Sequence, residues 1–247
     1  MSSLRIERDG DILRIALARP ERRNAFDAAL IDELAAAFAN VGDVGAVVLS
    51  GDGPSFSAGA DVEWMRSSVE LSFDENVADA LRLRAMLDAI DSCPAPVVVR
   101  VQGHALGGGC GLVACADIAI AEPGAQFAFS EVKLGIVPAV ISPFALAKIG
   151  SAAARRYFVT GERFSASEAL RIGLVSEVAE DLDAAVDAVL ADLSAAGPSA
   201  ARAAKELARA PATAEETARQ IAAQRTSEEG QEGLRAFLEK REPRWRA

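Results

Sequence analysis

One stretch, residues 103–131, constrains what this chain can fold into more than any other part of the sequence. It follows Val97–Val101, a β-branched run that predicts a buried strand. Residues 107–109, all glycine, then open a small, apolar segment that ends near Ala116 and is typical of a short buried helix. Glycines between a strand and a helix let another molecule approach the backbone and leave the first helical amides free to donate. The stretch therefore predicts an α/β unit that stabilises an anion near Gly108.

A second glycine-containing turn comes earlier, at residues 59–61, after a buried strand predicted at residues 45–50. Adjacent strands of one sheet would bring both turns to the same edge, where α/β proteins bind ligands. Amides from the two turns would then point at one oxygen and form an oxyanion hole. The other interpretation, that the glycines only allow close packing, stays equally open from these residues alone.

Glu131 is a lone carboxylate in a segment that otherwise has the composition of a protein core. An apolar setting raises the pKa of a carboxyl group towards values that suit proton transfer. We therefore interpret Glu131 as a proton carrier, with a solvated charge at the end of a strand as the alternative. The apolar neighbours that support the first interpretation are Phe127, Phe129, Val132, Leu134 and Ile136.

His104 is the only histidine of the sequence, so a histidine-rich metal site is not expected. A Ser-His-Asp triad would have to use His104, and no orienting carboxylate lies nearby in the sequence. We interpret His104 as a packing residue. Asp117 lies between two apolar segments, and we interpret it as a structural carboxylate. The glycine-rich segment also lacks the lysine of a phosphate loop and the third glycine of the dinucleotide fingerprint.

The composition of the 247 residues, 51% hydrophobic and 25% charged, is that of a globular protein with one large core or two modest ones. The net charge of -10 disfavours nucleic acid as a partner, because nucleic acid needs a basic face. No apolar run approaches the roughly 20 residues that span a bilayer, and the amino terminus lacks a signal-peptide pattern. Three cysteines in apolar settings favour reduced core thiols. We expect a cytoplasmic protein with no membrane partner.

The order of elements predicts an α/β architecture, because strands alternate with helices before a mostly helical carboxyl-terminal part. A hairpin is expected at residues 4–17, and Asp27 is expected to cap the helix that follows. The Gly197-Pro198 step is the best candidate boundary. We therefore predict a core at residues 1–196 and a helical carboxyl-terminal region at residues 197–247.

Several segments at matching spacing make the chain similar to the crotonase family, the enoyl-CoA hydratase/isomerase superfamily. They are residues 19–25, 56–61, 105–109, 127–138 and 232–241. The resemblance implies a crotonase-type spiral of repeated ββα turns, with the helical carboxyl-terminal region forming contacts in a homotrimer or a dimer of trimers. It implies an acyl-CoA thioester as the substrate. Coenzyme A is part of that substrate, and no separate cofactor or metal is expected.

The resemblance also assigns roles to residues of the site. The backbone amides of Ala60 and Gly108 would hold the thioester oxygen, in agreement with the two turns, and Glu131 would carry protons. Val140 would shape the acyl pocket. The other contacts with CoA would come from two loops and, for the CoA of a neighbouring subunit, from the final helix: Arg22, Arg23, Ala25, Ala58, Asp61, Val62, Phe237 and Lys240.

Position 111 departs from the pattern of this family. A hydratase usually has two glutamates, of which the second matches Glu131 and the first would fall at Gly111. Three hypotheses follow. Glu131 alone activates water, with Gly111 leaving room for a second water; or Glu131 shuttles a proton between C2 and C4 of an enoyl-CoA isomerase; or the protein mainly binds acyl-CoA. We rank the hydratase first and the isomerase second.

The segment at residues 138–143 carries Val140 and Ile141 where many family members have glycines. It looks like the branch that handles branched, carboxylated enoyl-CoAs, such as methylglutaconyl-CoA or carboxygeranoyl-CoA hydratases. A structural or RNA-binding member of the superfamily is the remaining alternative. The net charge of -10 and the lack of a basic stripe count against it.

Overall fold

The structure, a computed structural model, describes residues 2–209 and 212–246. The outer ends of the predicted two-part division, Met1 and Ala247, lie outside the described residues. The described strands are β1 (Leu4–Asp9), β2 (Ile12–Leu17), β3 (Ala46–Gly51), β4 (Val97–Val101), β5 (His104–Leu106), β6 (Ile118–Ala121), β7 (Gln126–Ala128), β8 (Phe164–Ser165) and β9 (Glu177–Val178).

Helices connect these strands and form the last part of the chain. They are α1 (Ala28–Ala39), α2 (Val62–Ser68), α3 (Phe73–Asp91), α4 (Gly108–Cys115), α5 (Ser142–Thr160), α6 (Ala166–Arg171), α7 (Leu182–Ala195), α8 (Pro198–Arg209), α9 (Ala214–Thr226) and α10 (Glu228–Glu239). Short 3-10 helices occupy Pro20–Arg22, Glu131–Leu134 and Arg244–Arg246. The α/β fold class is confirmed.

The strands form two sheets, a larger one in the order β1-β2-β3-β4-β6-β9 and a smaller one in the order β5-β7-β8. β1 and β2 form the predicted antiparallel hairpin, and every later pair in the larger sheet is parallel. The chain adds a strand to the larger sheet, then one to the smaller sheet, then a helix. β4, β5 and α4 make one such turn, and β6, β7 and α5 make the next. This arrangement is the predicted spiral of ββα turns.

The main core lies on one face of the larger sheet, where apolar side chains of the strands meet α1, α3 and α4, and a smaller buried cluster with α7 covers the other face. Asp27 caps α1 as predicted, because its side chain accepts a hydrogen bond from the Leu30 amide. The apolar face of α1 is fully buried at Leu30, Ile31 and Leu34. Every residue of α4 after Gly108 is buried, which explains why this helix is small and apolar all round.

The carboxyl-terminal part contacts the core through an ion pair between a buried lysine and a partly buried aspartate. The Lys205 ammonium on α8 lies 2.8 Å from an Asp117 carboxylate oxygen and donates to the Ala95 carbonyl at 3.1 Å. The same carboxylate accepts a hydrogen bond from the Val97 amide at 2.7 Å. Asp117 is therefore a structural carboxylate, as predicted. The predicted boundary at Pro198 falls where α7 has ended and α8 begins.

The three cysteines are buried and free, as predicted for core thiols. No helix in the described part of the chain has the length and apolar composition to cross a membrane.

Candidate active site

A cavity of about 360 Å³ lies among α2, α3, the two glycine-containing turns and the segment that leads into α5. Its wall includes Ala60, Gly108 and Glu131. The three residues that the sequence pointed to for oxyanion binding and proton transfer therefore share one cavity. Ala58 and Val140, two of the predicted substrate contacts, also line it.

The amide of Ala60 is exposed by a short stretch of β pairing. The Phe26 amide donates to the Gly59 carbonyl and the Asp61 amide donates to the Phe26 carbonyl, each at 2.7 Å. In such a parallel bridge the peptide groups on either side of Ala60 are held by Phe26, so the Ala60 amide faces away from this partner. Within the described residues it makes no hydrogen bond to the protein. It is a free donor at the cavity wall.

The amide of Gly108 is free for a different reason, because it opens helix α4 and has no acceptor in a preceding turn. Gly107 reaches this point with a φ of 51°, and its amide donates to the Ala128 carbonyl at 2.8 Å. A Cβ atom on Gly108 would lie only 2.5 Å from Cε2 of Phe26. A side chain at position 108 therefore cannot be accommodated without moving the Phe26 ring.

The two turns meet through β5, which corrects the expected geometry. We expected both turns to end adjacent strands of one sheet, but residues 107–109 follow β5 in the smaller sheet. Ser57 pairs with β5: its amide donates to the His104 carbonyl at 2.9 Å, and its carbonyl accepts from the Leu106 amide at 3.0 Å. A Cβ atom on Gly59 would lie 3.7 Å from the Gly108 nitrogen. A strand of three residues is too short to show as a periodic pattern.

Glu131 begins the 3-10 helix after β7, and its carboxylate lies beside the glycine turn. A Cβ atom on Gly107 would be 3.4 Å from Oε1 of Glu131. Oε2 is buried and has no hydrogen-bond partner in the described structure. Burial raises the pKa of the Glu131 carboxyl group above its ordinary value. Glu131 is therefore a partly desolvated carboxylate in the cavity wall, and the alternative of a solvated charge is wrong.

The space next to Gly111 is filled. A Cβ atom at this buried position would lie 2.6 Å from Cγ2 of Ile141 and 3.6 Å from Cδ2 of Leu87. The hypothesis that Gly111 leaves room for a second water is therefore wrong, because the Ile141 side chain occupies that volume. A glutamate at position 111 would also collide with Ile141 in this conformation.

The loop residues predicted to contact CoA lie outside the cavity wall, and several hold the turns in place. Asp61 is only 3% exposed and caps α2 by accepting from the Glu63 amide at 2.8 Å. Its carboxylate also lies 3.0 Å from the exposed Arg22 guanidinium. The Arg23 carbonyl accepts from the Ala58 amide at 2.9 Å. Direct contact of this loop with CoA stays a prediction.

The other predicted CoA contacts are either exposed side chains or residues that form hydrogen bonds through their backbone. The Ala25 carbonyl accepts a hydrogen bond from Arg19 at 2.9 Å, and Val62 is exposed at the start of α2. Phe237, 81% exposed, lies near the end of α10, which Lys240 terminates in a left-handed conformation. Neither Phe237 nor Lys240 lines the cavity of the same chain. Their approach to a neighbouring subunit's CoA stays a prediction.

Sequence reasoning missed several residues of the cavity. Phe26 is the most important, because its backbone holds the turn of Ala60 while its ring packs on Gly108. On α3, a helix with many charged residues, Asp79 and Leu83 face the cavity at helical spacing. The spacing of four residues could have indicated from the sequence that these two side chains share one face of α3. The further lining residues that were not predicted include Trp64, Met65 and Ser130.

Within residues 2–209 and 212–246, no group of three or more histidine, cysteine, aspartate or glutamate side chains is placed to hold a metal ion. His104 lies in β5, with its Nδ1 atom 3.4 Å from the Ser55 hydroxyl, and does not line the cavity. Of the groups predicted from the sequence, the cavity therefore brings together two amide donors and one carboxylate.

Comparison with known proteins identifies the family. The family model described as enoyl-CoA hydratase/isomerase matches residues 7–247. The chain belongs to the enoyl-CoA hydratase/isomerase family, the crotonase superfamily.

Individual relatives agree with this assignment. The chain is 34% identical to a Mycobacterium tuberculosis protein named "Probable enoyl-CoA hydratase echA8", over 97% of this chain and 96% of the relative. It is 33% identical to the cyclohexa-1,5-dienecarbonyl-CoA hydratase of Thauera aromatica, over 97% and 95% of the two chains. The solved structure of an enoyl-CoA hydratase from Shewanella pealeana superimposes with a TM-score of 0.93, 40% identity and coverage of 98% and 96%.

Proposed function

We propose that this protein is an enoyl-CoA hydratase that adds water across the 2,3 double bond of an enoyl-CoA thioester. The observation that carries the proposal is the content of the cavity. Two amides without partners, at Ala60 and Gly108, line the same cavity as a partly desolvated carboxylate at Glu131. Relatives that match nearly the full length of the chain are named hydratases, which supports hydration as the type of reaction.

The two amides would polarise the thioester carbonyl and make C3 electrophilic. Glu131 would accept a proton from a water molecule while the water oxygen forms its bond to C3 and the electrons of the double bond move onto the thioester oxygen. The resulting enolate oxygen would be held by Ala60 and Gly108. The protonated Glu131 would then donate to C2, which restores the carbonyl. The elements of one water molecule are added, and Glu131 returns to its starting state.

Binding of the CoA part would fall to the loops outside the cavity, and it is proposed here from the family relationship. Arg22 offers an exposed guanidinium next to the turn of Ala60. The end of α10 presents Phe237 and Leu238, 81% and 78% exposed, which would be covered in a homotrimer or a dimer of trimers. The CoA of a neighbouring subunit would then meet Phe237 and Lys240.

An enoyl-CoA isomerase is the second candidate, and one observation favours it. Position 111 is a glycine packed against Ile141, so no second carboxylate stands there to hold water. Moving the double bond from the 3,4 to the 2,3 position needs no water and only one carboxylate, which carries a proton between C2 and C4. Glu131 would remove a proton from one carbon of the acyl chain and return it to another, through the same enolate held by the two amides.

A panel of 2-enoyl-CoAs and 3-enoyl-CoAs, including methylglutaconyl-CoA, separates these functions by the mass of the product. A product heavier by one water supports the hydratase, and an unchanged mass with a moved double bond supports the isomerase. Tight binding of CoA without turnover would overturn both.

The variant Glu131→Gln tests the role of the carboxylate in the same assays. We expect the rate to fall about 10²–10⁴-fold, because general acid–base catalysis typically contributes that much. In the parent protein kcat/KM should fall as the pH drops through the raised pKa of Glu131, since only the ionised carboxylate can accept the proton. The exposed Glu177, in β9 at the edge of the larger sheet, provides the control Glu177→Gln. Full turnover by Glu131→Gln would exclude this mechanism.

A further inference from the structure

A second polar group would fix the orientation of the reacting water, because Glu131 takes only one of its two hydrogens. The position beside Gly111 cannot supply that group, since the Ile141 side chain fills it. The second group must therefore come from elsewhere in the cavity wall.

Ser130 is placed to be this group. A Cβ atom on Gly107 would lie 3.4 Å from Oε1 of Glu131 and 4.0 Å from Oγ of Ser130, so both oxygens reach the same side of the glycine turn. Ser130 is half-buried and lines the cavity. The next residue along the glycine turn is Gly108, whose free amide is one of the two donors for the thioester oxygen.

The Ser130 hydroxyl is not used by the fold. Serine before a helix usually accepts a hydrogen bond from one of the first helical amides. Ser130 precedes the 3-10 helix at Glu131–Leu134, but its side chain makes no such bond. Its own carbonyl accepts from the Lys133 amide at 3.1 Å instead. In the described structure the Ser130 hydroxyl has no hydrogen-bond partner. Unlike the buried Oε2 of Glu131, its oxygen keeps some accessible surface. It is therefore available to a molecule in the cavity.

Other polar side chains of the cavity are less suited to this task. The Ser68 hydroxyl donates to the Met65 carbonyl at 2.8 Å, within α2. The Asn76 amide group donates to the Leu71 and Ser72 carbonyls at 3.0 and 3.1 Å. Asp79 on α3 lines the cavity and is the remaining candidate. It belongs to a different wall element from Glu131, whereas Ser130 is adjacent to Glu131 in the chain.

We propose that the Ser130 hydroxyl orients the water that Glu131 activates, and that it replaces the side chain missing at position 111. The inference rests on the proposed hydratase function. One hydrogen of the water points to the Glu131 carboxylate and the other to Oγ of Ser130. As the water oxygen bonds to C3, Glu131 takes the first hydrogen as a proton. The second stays on the new hydroxyl group, still hydrogen-bonded to Ser130.

The variant Ser130→Ala tests this assignment with two readouts on the full-length protein. The first is hydration of crotonyl-CoA, which needs the oriented water. The second is exchange of the C2 protons of butyryl-CoA in D2O, which needs Glu131 and the two amides but no water addition. We expect kcat for hydration to fall about fivefold to tenfold, the typical effect of losing one neutral hydrogen bond, with KM and C2 exchange unchanged. Ser130→Thr keeps a hydroxyl and should retain most of the hydration rate.

Ser142→Ala is the matched control, because the Ser142 hydroxyl is near the site but donates to the Ala139 carbonyl at 2.8 Å. Equal losses of hydration and exchange in Ser130→Ala, or an unchanged hydration rate, would overturn the assignment. So would a selective loss of hydration in Asp79→Asn but not in Ser130→Ala. If Glu131→Gln abolishes both reactions while Ser130→Ala changes neither, only this inference fails. If Glu131→Gln still hydrates crotonyl-CoA, the proposed function is wrong, and the inference that rests on it is wrong as well.

Discussion

The turns that present Ala60 and Gly108 offer the same group, a free backbone amide, but they are built from different interactions. Ala60 is held by hydrogen bonds and charge: a β bridge with Phe26, the Ser57 hydroxyl and the buried carboxylate of Asp61. Gly108 is held by close packing, since the Phe26 ring leaves no space for a Cβ atom.

The difference shows why one position carries a side chain and the other does not. At the first turn the polar neighbours fix the peptide plane, so a methyl group on the donor residue is tolerated. At the second turn the aromatic ring lies against the Cα atom and sets how closely the two turns approach. Because Phe26 contacts both turns, it links the two halves of the proposed oxyanion hole. The comparison predicts that the turn of Gly108 is sensitive to added side-chain volume, whereas the turn of Ala60 is sensitive to loss of the Asp61 charge.

The largest effect is expected for Gly108→Ala. Gly108 does not have the positive φ that favours glycine, so the cost is steric: the new Cβ atom would lie 2.5 Å from the Phe26 ring. We expect activity to fall about 10²–10³-fold, the usual result of displacing one oxyanion donor. Overpacking should lower the free energy of unfolding by about 1–3 kcal/mol. Steady-state kinetics and urea unfolding measure the two effects.

Two further variants show whether Phe26 causes that loss. Adding Phe26→Leu to Gly108→Ala removes the colliding ring atom and should restore part of both activity and stability. Gly124→Ala is the control, since its Cβ atom would meet only a Glu122 carboxylate oxygen at 3.8 Å. A double variant as impaired as Gly108→Ala alone would show that packing against Phe26 is not the constraint.

An intermediate effect is expected for Asp61→Asn, which keeps the shape of the side chain but removes its charge. Burial works to raise the pKa of Asp61, but hydrogen bonds from Arg22 and the Glu63 amide hold it below its ordinary value. We expect the free energy of unfolding at neutral pH to fall by about 1–3 kcal/mol and kcat by about tenfold. Thermal unfolding and kinetics provide the measurements.

The pH dependence of that stability difference follows from the lowered pKa of Asp61. A depressed carboxyl pKa stabilises the fold above the unfolded value, and the stabilisation is lost as the pH falls through the folded value. The stability difference between the parent and Asp61→Asn should therefore begin to shrink below about pH 4, the unfolded value, and vanish only below the lowered pKa of the folded state. The control Glu63→Gln breaks an exposed pair with Arg66 and should change stability by less than about 1 kcal/mol. A stability difference that persists in acid would contradict the electrostatic account.

The smallest effect is expected for Ala60→Gly. The amide remains, and Phe26 still holds the flanking peptide groups, so kcat/KM should fall only about threefold. Added backbone freedom should cost about 0.5–1 kcal/mol of stability. Kinetics with the best substrate of the panel provide the check. A loss as large as that of Gly108→Ala would mean that the two turns are not built differently after all.

Much of this fold could be predicted because its signals are local. The buried strand Val97–Val101 is a continuous β-branched run, and its bounds are those of β4. The cap at Asp27 precedes a clear apolar period in α1. The glycine turns and Glu131 stood out for the same reason, since a glycine run or a carboxylate in an apolar segment is visible within a short window. The short strands β5 and β8 gave no such signal.

The sequence by itself determined the kinds of groups in the site: two turns with free amides and one carboxylate among apolar residues. Only the tertiary structure decided how they meet. The pairing of Ser57 with β5 brings the turns together, Ile141 fills the space beside Gly111, and the Ser130 hydroxyl is left without a role in capping. The physical reason is that packing joins residues far apart in the chain, and a short-range pattern carries no information about which distant side chain will occupy a given space.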